Sequence, residues 1–206
     1  MIYRLVWLFC NLVFRVVLRG RITGTHHVPR TGAVILASNH VSNLDPPLIS
    51  TSTPRRCWYL AKEELFRPPP FAWFIRQLGD IAVKRGAGDR AALKQCLEVL
   101  EAERALVIFP EGTRSATGEL GSGEMGVAMM AYRTGAPVVP LYVTGTNALM
   151  PKTGRPRLAR VTMNVGPPLH FKTAEGVRPG RAEYERASEE IMAAIAALRD
   201  GASARG

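Results

Sequence analysis

The stretch AVILASNHVSNLDPP, residues 33–47, decides how the chain is read. Its first part, Ala33-Val34-Ile35-Leu36-Ala37, is an unbroken apolar run of strand length, the pattern of a strand covered on both faces. Such a strand delivers Ser38, Asn39 and His40 to its carboxyl end, where open α/β sheets keep their sites. Asp45-Pro46-Pro47 then signals a helix start, because Asp can cap exposed amides and proline fits the first helical turn. The segment predicts strand, tight polar turn, helix. In that turn the Asp45 carboxylate can accept a hydrogen bond from one ring nitrogen of His40, leaving the other nitrogen as a base. No serine or cysteine nucleophile is required if the substrate brings its own hydroxyl. The plainer alternative is a turn histidine beside a capping aspartate.

Working outward, 206 residues with 47% hydrophobic and 21% charged residues describe one well-cored globular domain, placed at residues 21–200. Residues 1–20 form a separate amphipathic helix and 201–206 a flexible tail. Net charge is +10, which implies an anionic partner such as a lipid surface, a phosphorylated substrate or nucleic acid. Nucleic acid is disfavoured, since the cations are dispersed and the aromatics gather in the first 75 residues instead of interleaving with them. The three cysteines, Cys10, Cys57 and Cys96, are far apart and form no ligand spacing, so a reducing compartment without disulfides is expected. No metal site is expected. His26 and His27 are neighbours that point apart in extended chain, with no third ligand nearby.

At helical spacing Arg4, Asn11, Arg15 and Arg19 share one narrow stripe of the first segment, and apolar side chains cover the rest. Asn11 and Arg15 break the run too early for a membrane span of about 20 residues. Phe14 to Arg19 offers no small-residue cleavage site for a signal peptide. A helix lying in the membrane interface follows, peripheral or monotopic on the cytoplasmic face, although the same wide apolar face would suit docking on the domain itself. Further along, Phe71-Ala72-Trp73-Phe74-Ile75 reads as a core helix or a lipid-facing lip, and Ile81-Ala82-Val83 as a strand ending in Lys84 and Arg85.

Strands at 105–109, 138–143 and 160–165 alternate with helices at 89–103 and 126–134, and a last helix spans 181–199. That alternation predicts an α/β fold: a single domain with a largely parallel central sheet flanked by helices. The strand at 105–109 runs into Pro110-Glu111-Gly112-Thr113-Arg114-Ser115, a second polar cluster at a strand end. Pro110 and Gly112 favour a tight turn. Its amides, with Gly112 and Thr113, make an anion cradle, and Arg114 adds a planar fork matched to phosphate oxygens. Glu111 could position a substrate hydroxyl or pair with Arg114.

Asn39-His40, four residues, Asp45, and then Phe109 to Ser115 some 65 residues on together resemble the glycerolipid acyltransferase family typified by 1-acyl-glycerol-3-phosphate acyltransferases. Gly79 to Arg85 and Val138-Val139-Pro140 look like two further blocks of that family, so the likeness runs through most of the chain. The resemblance implies a glycerol-3-phosphate acyltransferase-like fold and transfer of an acyl group from acyl-CoA or acyl carrier protein to a lysophospholipid hydroxyl, most simply that of 1-acyl-glycerol-3-phosphate. No other cofactor is implied. His40 would be the general base and Asp45 its orienting carboxylate. Arg85, Glu111, Gly112, Thr113 and Arg114 would bind the acceptor, with Asn39 and Ser115 in support. Where many relatives carry a lysine, this chain has Glu124 within Gly123-Glu124-Met125-Gly126. The alternatives are another lysolipid or glycolipid acceptor, a thioester hydrolase in which His40 activates water, and a basic lipid-binding module without catalysis.

Overall fold

A computed structural model describes residues 2–14, 20–62, 80–83, 88–115, 117–151, 155–174 and 177–203. The chain runs α1 (Ile2–Leu12), β1 (Arg21–Thr23), β2 (Val34–Ser38), α2 (Asp45–Ser52), β3 (Cys57–Lys62), β4 (Asp80–Val83) and α3 (Gly88–Glu101). It continues through β5 (Ala105–Ile108), α4 (Gly126–Thr134), β6 (Val138–Thr144), α5 (Thr146–Leu149), β7 (Thr162–Val165) and α6 (Arg181–Ser203). The strands form one seven-stranded sheet in the order β1-β7-β6-β2-β5-β3-β4. Every adjacent pair is parallel except β6 with β7. The largely parallel sheet expected from the alternation of elements is therefore present, with one reversal near an edge.

The strand that opened the reading is at the middle of this sheet. All five residues of β2 are buried, and successive side chains feed opposite cores because strand side chains alternate. Val34 and Leu36 pack with Leu48, Ile49, Val107, Val139 and Met163 on one face, while Ile35 and Ala37 meet Leu97, Leu100, Val127, Ile191 and Ile195 on the other. Burying a side chain such as Ile35 or Leu36 contributes about 1.5–3 kcal/mol. The second face is covered by α3, α4 and α6, whose apolar residues recur at helical spacing: Leu93, Cys96, Leu97 and Leu100 on α3, and Tyr184, Ile191, Ile195 and Leu198 on α6. Gly135 stops α4 with φ 68°, as its position suggested. Helix α6 runs on to Ser203, past the expected end at Arg199. Cys57 and Cys96 pack in the cores, and loss of solvent pushes both thiols up to about 11.

Helix α1 docks on α2 of the domain, the alternative offered for its apolar face. Asn11, grouped with the arginines of the polar stripe, is buried and donates from Nδ2 to the carbonyls of Trp7 and of Thr51 at the end of α2. An amide can satisfy a helix-end carbonyl that would otherwise lack a donor. Phe14 follows it into the core, while Leu5, Leu8 and Leu12 stay about 60% exposed. Among the described residues, no helix is long and apolar enough to cross a membrane. His27 takes a structural role, its Nδ1 lying 3.0 Å from the carbonyl oxygen of Val165.

Candidate active site

Strands β2, β5 and β6 are parallel neighbours, with Ala37 level with Ile108 and with Pro140. Their carboxyl ends therefore open on one edge of the sheet. Three segments far apart in sequence meet there, after residues 38, 108 and 144.

The first carries His40 and Asp45. His40 Nδ1 stands 2.9 Å from Asp45 Oδ2, and the side chains are 17% and 0% exposed. Asp45 lies inside the first turn of α2, but its carboxylate does not cap that helix, and the residue at the cap position, Leu44, has no side-chain bond either. The capping role expected for Asp45 is replaced by another. Its Oδ2 also accepts from the amides of Val41 at 2.8 Å and Ser42 at 2.7 Å, so it folds the turn back on itself. Its Oδ1 accepts from the Thr146 hydroxyl at 2.5 Å. Four donors around one carboxylate match the acceptor-only inventory of its ionised form. A carboxylate acceptor leaves Nδ1 as the protonated ring nitrogen and Nε2 as the lone-pair nitrogen, the tautomer a general base needs. Among the described residues nothing hydrogen-bonds Nε2.

The second segment grips the first. Phe109 stacks flat on the His40 ring, with centroids 3.9 Å apart and planes at 19°. Its carbonyl receives the Gly112 amide at 3.1 Å, closing the tight turn foreseen for Pro110 and Gly112. Gly112 has φ 65°, and a Cβ there would stand 2.6 Å from Oε1 of Glu124. The Glu111 carboxylate neither pairs with Arg114 nor faces outward as a free group. It bridges backbone amides, His40 N at 3.1 Å through Oε1 and Gly121 N at 2.9 Å through Oε2. Ser115 N donates to the His40 carbonyl at 2.8 Å, so both backbone polar groups of the histidine are held by this turn.

Arg114 is half-buried, and among the described residues it makes no hydrogen bond or ion pair; the backbone amides of Thr113 and Arg114 likewise donate to none of them. Glu111, Thr113, Ser115, Thr117, Glu119 and Leu120 are among the residues that line an open hollow of about 400 Å³. Asn39 clamps the third segment: its side-chain amide donates to the Val143 carbonyl at 2.9 Å and accepts from the Val143 amide at 2.7 Å. Arg85 and the Phe71–Ile75 cluster lie outside the described residues.

Sequence reasoning brought His40, Asp45, Asn39 and the residues from Glu111 to Ser115 to this edge, and the structure assembles them. It missed the stacking role of Phe109 and the donor Thr146. The signal for Thr146 was present in Gly145-Thr146 directly after an apolar strand, but its meaning depends on that strand lying beside β2.

An imidazole whose Nε2 has no partner among the described residues, fixed by a buried carboxylate beside a polar turn, is an arrangement able to serve as a general base. The chain belongs to the Acyltransferase family, whose profile matches residues 19–144. It is 31% identical over 196 residues to the 1-acyl-sn-glycerol-3-phosphate acyltransferase of Pseudomonas aeruginosa, covering 90% of this chain and 74% of that one. It is also 31% identical over 159 residues to the chloroplastic LPAT1 1-acyl-sn-glycerol-3-phosphate acyltransferase of Arabidopsis thaliana, covering 75% of this chain but only 44% of that protein. Against a chloroplastic relative from Brassica napus the share of the longer protein is 38%. Among solved structures, the 1-acyl-sn-glycerophosphate acyltransferase PlsC of Thermotoga maritima superposes with a TM-score of 0.75 at 28% identity, covering 96% of this chain and 78% of that one.

Proposed function

We propose that this protein moves a fatty acyl group from acyl-CoA or acyl carrier protein to the free hydroxyl of 1-acyl-glycerol-3-phosphate, giving phosphatidate. The observation that carries the reading is the His40–Asp45 pair at 2.9 Å, next to the turn that carries Arg114, with neither Nε2 nor Arg114 partnered among the described residues. Nε2 takes the hydroxyl proton as the alcohol oxygen bonds to the thioester carbonyl carbon. Asp45 offsets the charge on the resulting imidazolium. The tetrahedral intermediate then collapses, the carbon–sulfur bond breaks, and the departing thiolate receives the proton from Nε2. A thioester is already activated, so the group that raises alcohol reactivity is the main protein requirement, and a positioned base supplies about 10²–10⁴-fold. The guanidinium of Arg114 and the amides of Thr113 and Arg114, unpartnered among the described residues, suit the acceptor phosphate.

Relatives named for this acceptor support the choice, and the phosphate-ready turn supports it independently. The outward leucines of α1 and the +10 charge suit peripheral contact with an anionic membrane surface, which we place on the cytoplasmic face. His40→Ala should lose at least about 10²-fold in transfer of labelled acyl groups to lysophosphatidate while retaining the wild-type circular dichroism spectrum. Turnover close to wild type would end this mechanism. Thioester cleavage at equal rate with and without the lysolipid would favour a hydrolase instead. Leu8→Glu should weaken sedimentation with anionic vesicles, and unchanged binding would remove α1 from the membrane contact.

A further inference from the structure

We infer that Thr146 is a positioning residue for the catalytic pair, holding the far oxygen of Asp45 so that the near one stays on the His40 ring. The two oxygens of Asp45 are divided between different tasks. Oδ2 receives His40 Nδ1 and the amides of Val41 and Ser42. Oδ1 receives the Thr146 hydroxyl, its one donor among the described residues. Aspartate χ2 has a broad, shallow preference, so internal bonding alone sets the carboxylate plane. Removing the donor leaves a fully buried oxygen without a partner, and rotation of the carboxylate to recover one takes Oδ2 away from the imidazole.

The surrounding backbone places that hydroxyl. Gly145 adopts φ 85°, and a Cβ there would come within 2.2 Å of the Arg160 carbonyl oxygen, so the chain can leave β6 in this direction only with glycine. Thr146 is 1% exposed at the start of α5, and its carbonyl is held by the Met150 amide at 3.0 Å. The Met150 carbonyl accepts from the Ser42 hydroxyl at 3.2 Å. Gly145 to Met150 thus clamps the catalytic turn at two points from the β6 side, opposite the clamp supplied by Glu111 and Ser115. Thr146 lies just beyond the family-matched residues 19–144.

The inference rests on the general-base reading above, and its test separates the two. Wild type, His40→Ala, Thr146→Ser, Thr146→Cys and Thr146→Val are assayed with acyl-CoA and lysophosphatidate, with kcat normalised to folded protein. Thr146→Val should lose about 10- to 100-fold in kcat, with both KM values within about two-fold of wild type. Thr146→Ser should restore the rate, with Thr146→Cys between them. The downfield proton resonance of His40 Nδ1–H should move in Thr146→Val and return in Thr146→Ser. A Thr146→Val enzyme that only melts earlier, with kcat and the resonance unchanged while His40→Ala is inactive, overturns the role of Thr146. Activity in His40→Ala overturns the general-base reading instead. If Thr146→Val does not fold, equal rates in the serine and cysteine variants overturn the inference.

Discussion

The turn at residues 40–45 and the turn at 109–115 sit side by side at the same sheet edge, yet their polar groups are treated in opposite ways. In the first, the buried carboxylate receives four hydrogen bonds, and both backbone polar groups of His40 are occupied. In the second, Arg114 and two consecutive amides have no partner among the described residues. A saturated network holds geometry fixed, whereas unpaired donors at a surface remain available to an incoming anion. On the proposed function, the chemical pair is preorganised and the recognition turn is left open.

Asp45→Asn should have the largest effect on this contrast, because an amide can present an N–H where the network needs an acceptor and can invert the histidine tautomer. A loss of about 10³–10⁴-fold in kcat is expected, on the scale seen when such a carboxylate is neutralised in other histidine systems. A loss under about 10-fold would show that the saturated turn is scaffolding only. Arg114→Ala tests the open turn. It should raise KM for lysophosphatidate about 10- to 100-fold with kcat at saturation nearly kept, since one charge-assisted contact is lost. A fall in kcat with unchanged KM would place Arg114 in the chemical step and erase the division. Glu111→Gln should give the smallest change, about 3- to 10-fold in kcat, because one side-chain oxygen can serve only one of the two amides that Glu111 bridges. If instead Glu111→Gln raises the acceptor KM as strongly as Arg114→Ala, Glu111 belongs to recognition and not to the buckle between the turns.

The fold was legible wherever the signal was local. The apolar runs of β2 and β5, the turn chemistry of Pro110 and Gly112, and the helical spacing of Leu93 to Leu100 each follow from neighbours in sequence. The His40–Asp45 pair was legible for the same reason, being five positions apart. Facts that depend on strand order were not. Thr146 reaches Asp45 only because β6 lies next to β2, and Glu111 binds backbone amides, which sequence does not distinguish. The burial of Asn11 was not legible, because a helical projection shows polarity without showing that a carbonyl of α2 stands opposite. Arg85 lies outside the described residues.

The strand order has a consequence for how the protein comes into being. Residues 40, 111 and 146 must converge, and the last of them follows a strand that inserts between the first-made centre of the sheet and its far edge. A nascent polypeptide that has emerged only through residue 115 carries His40, Asp45 and the Glu111 clamp but not Thr146, whose hydroxyl completes the bonding of Asp45. The buried carboxylate therefore acquires its last donor only once β6 has joined the sheet beside β2.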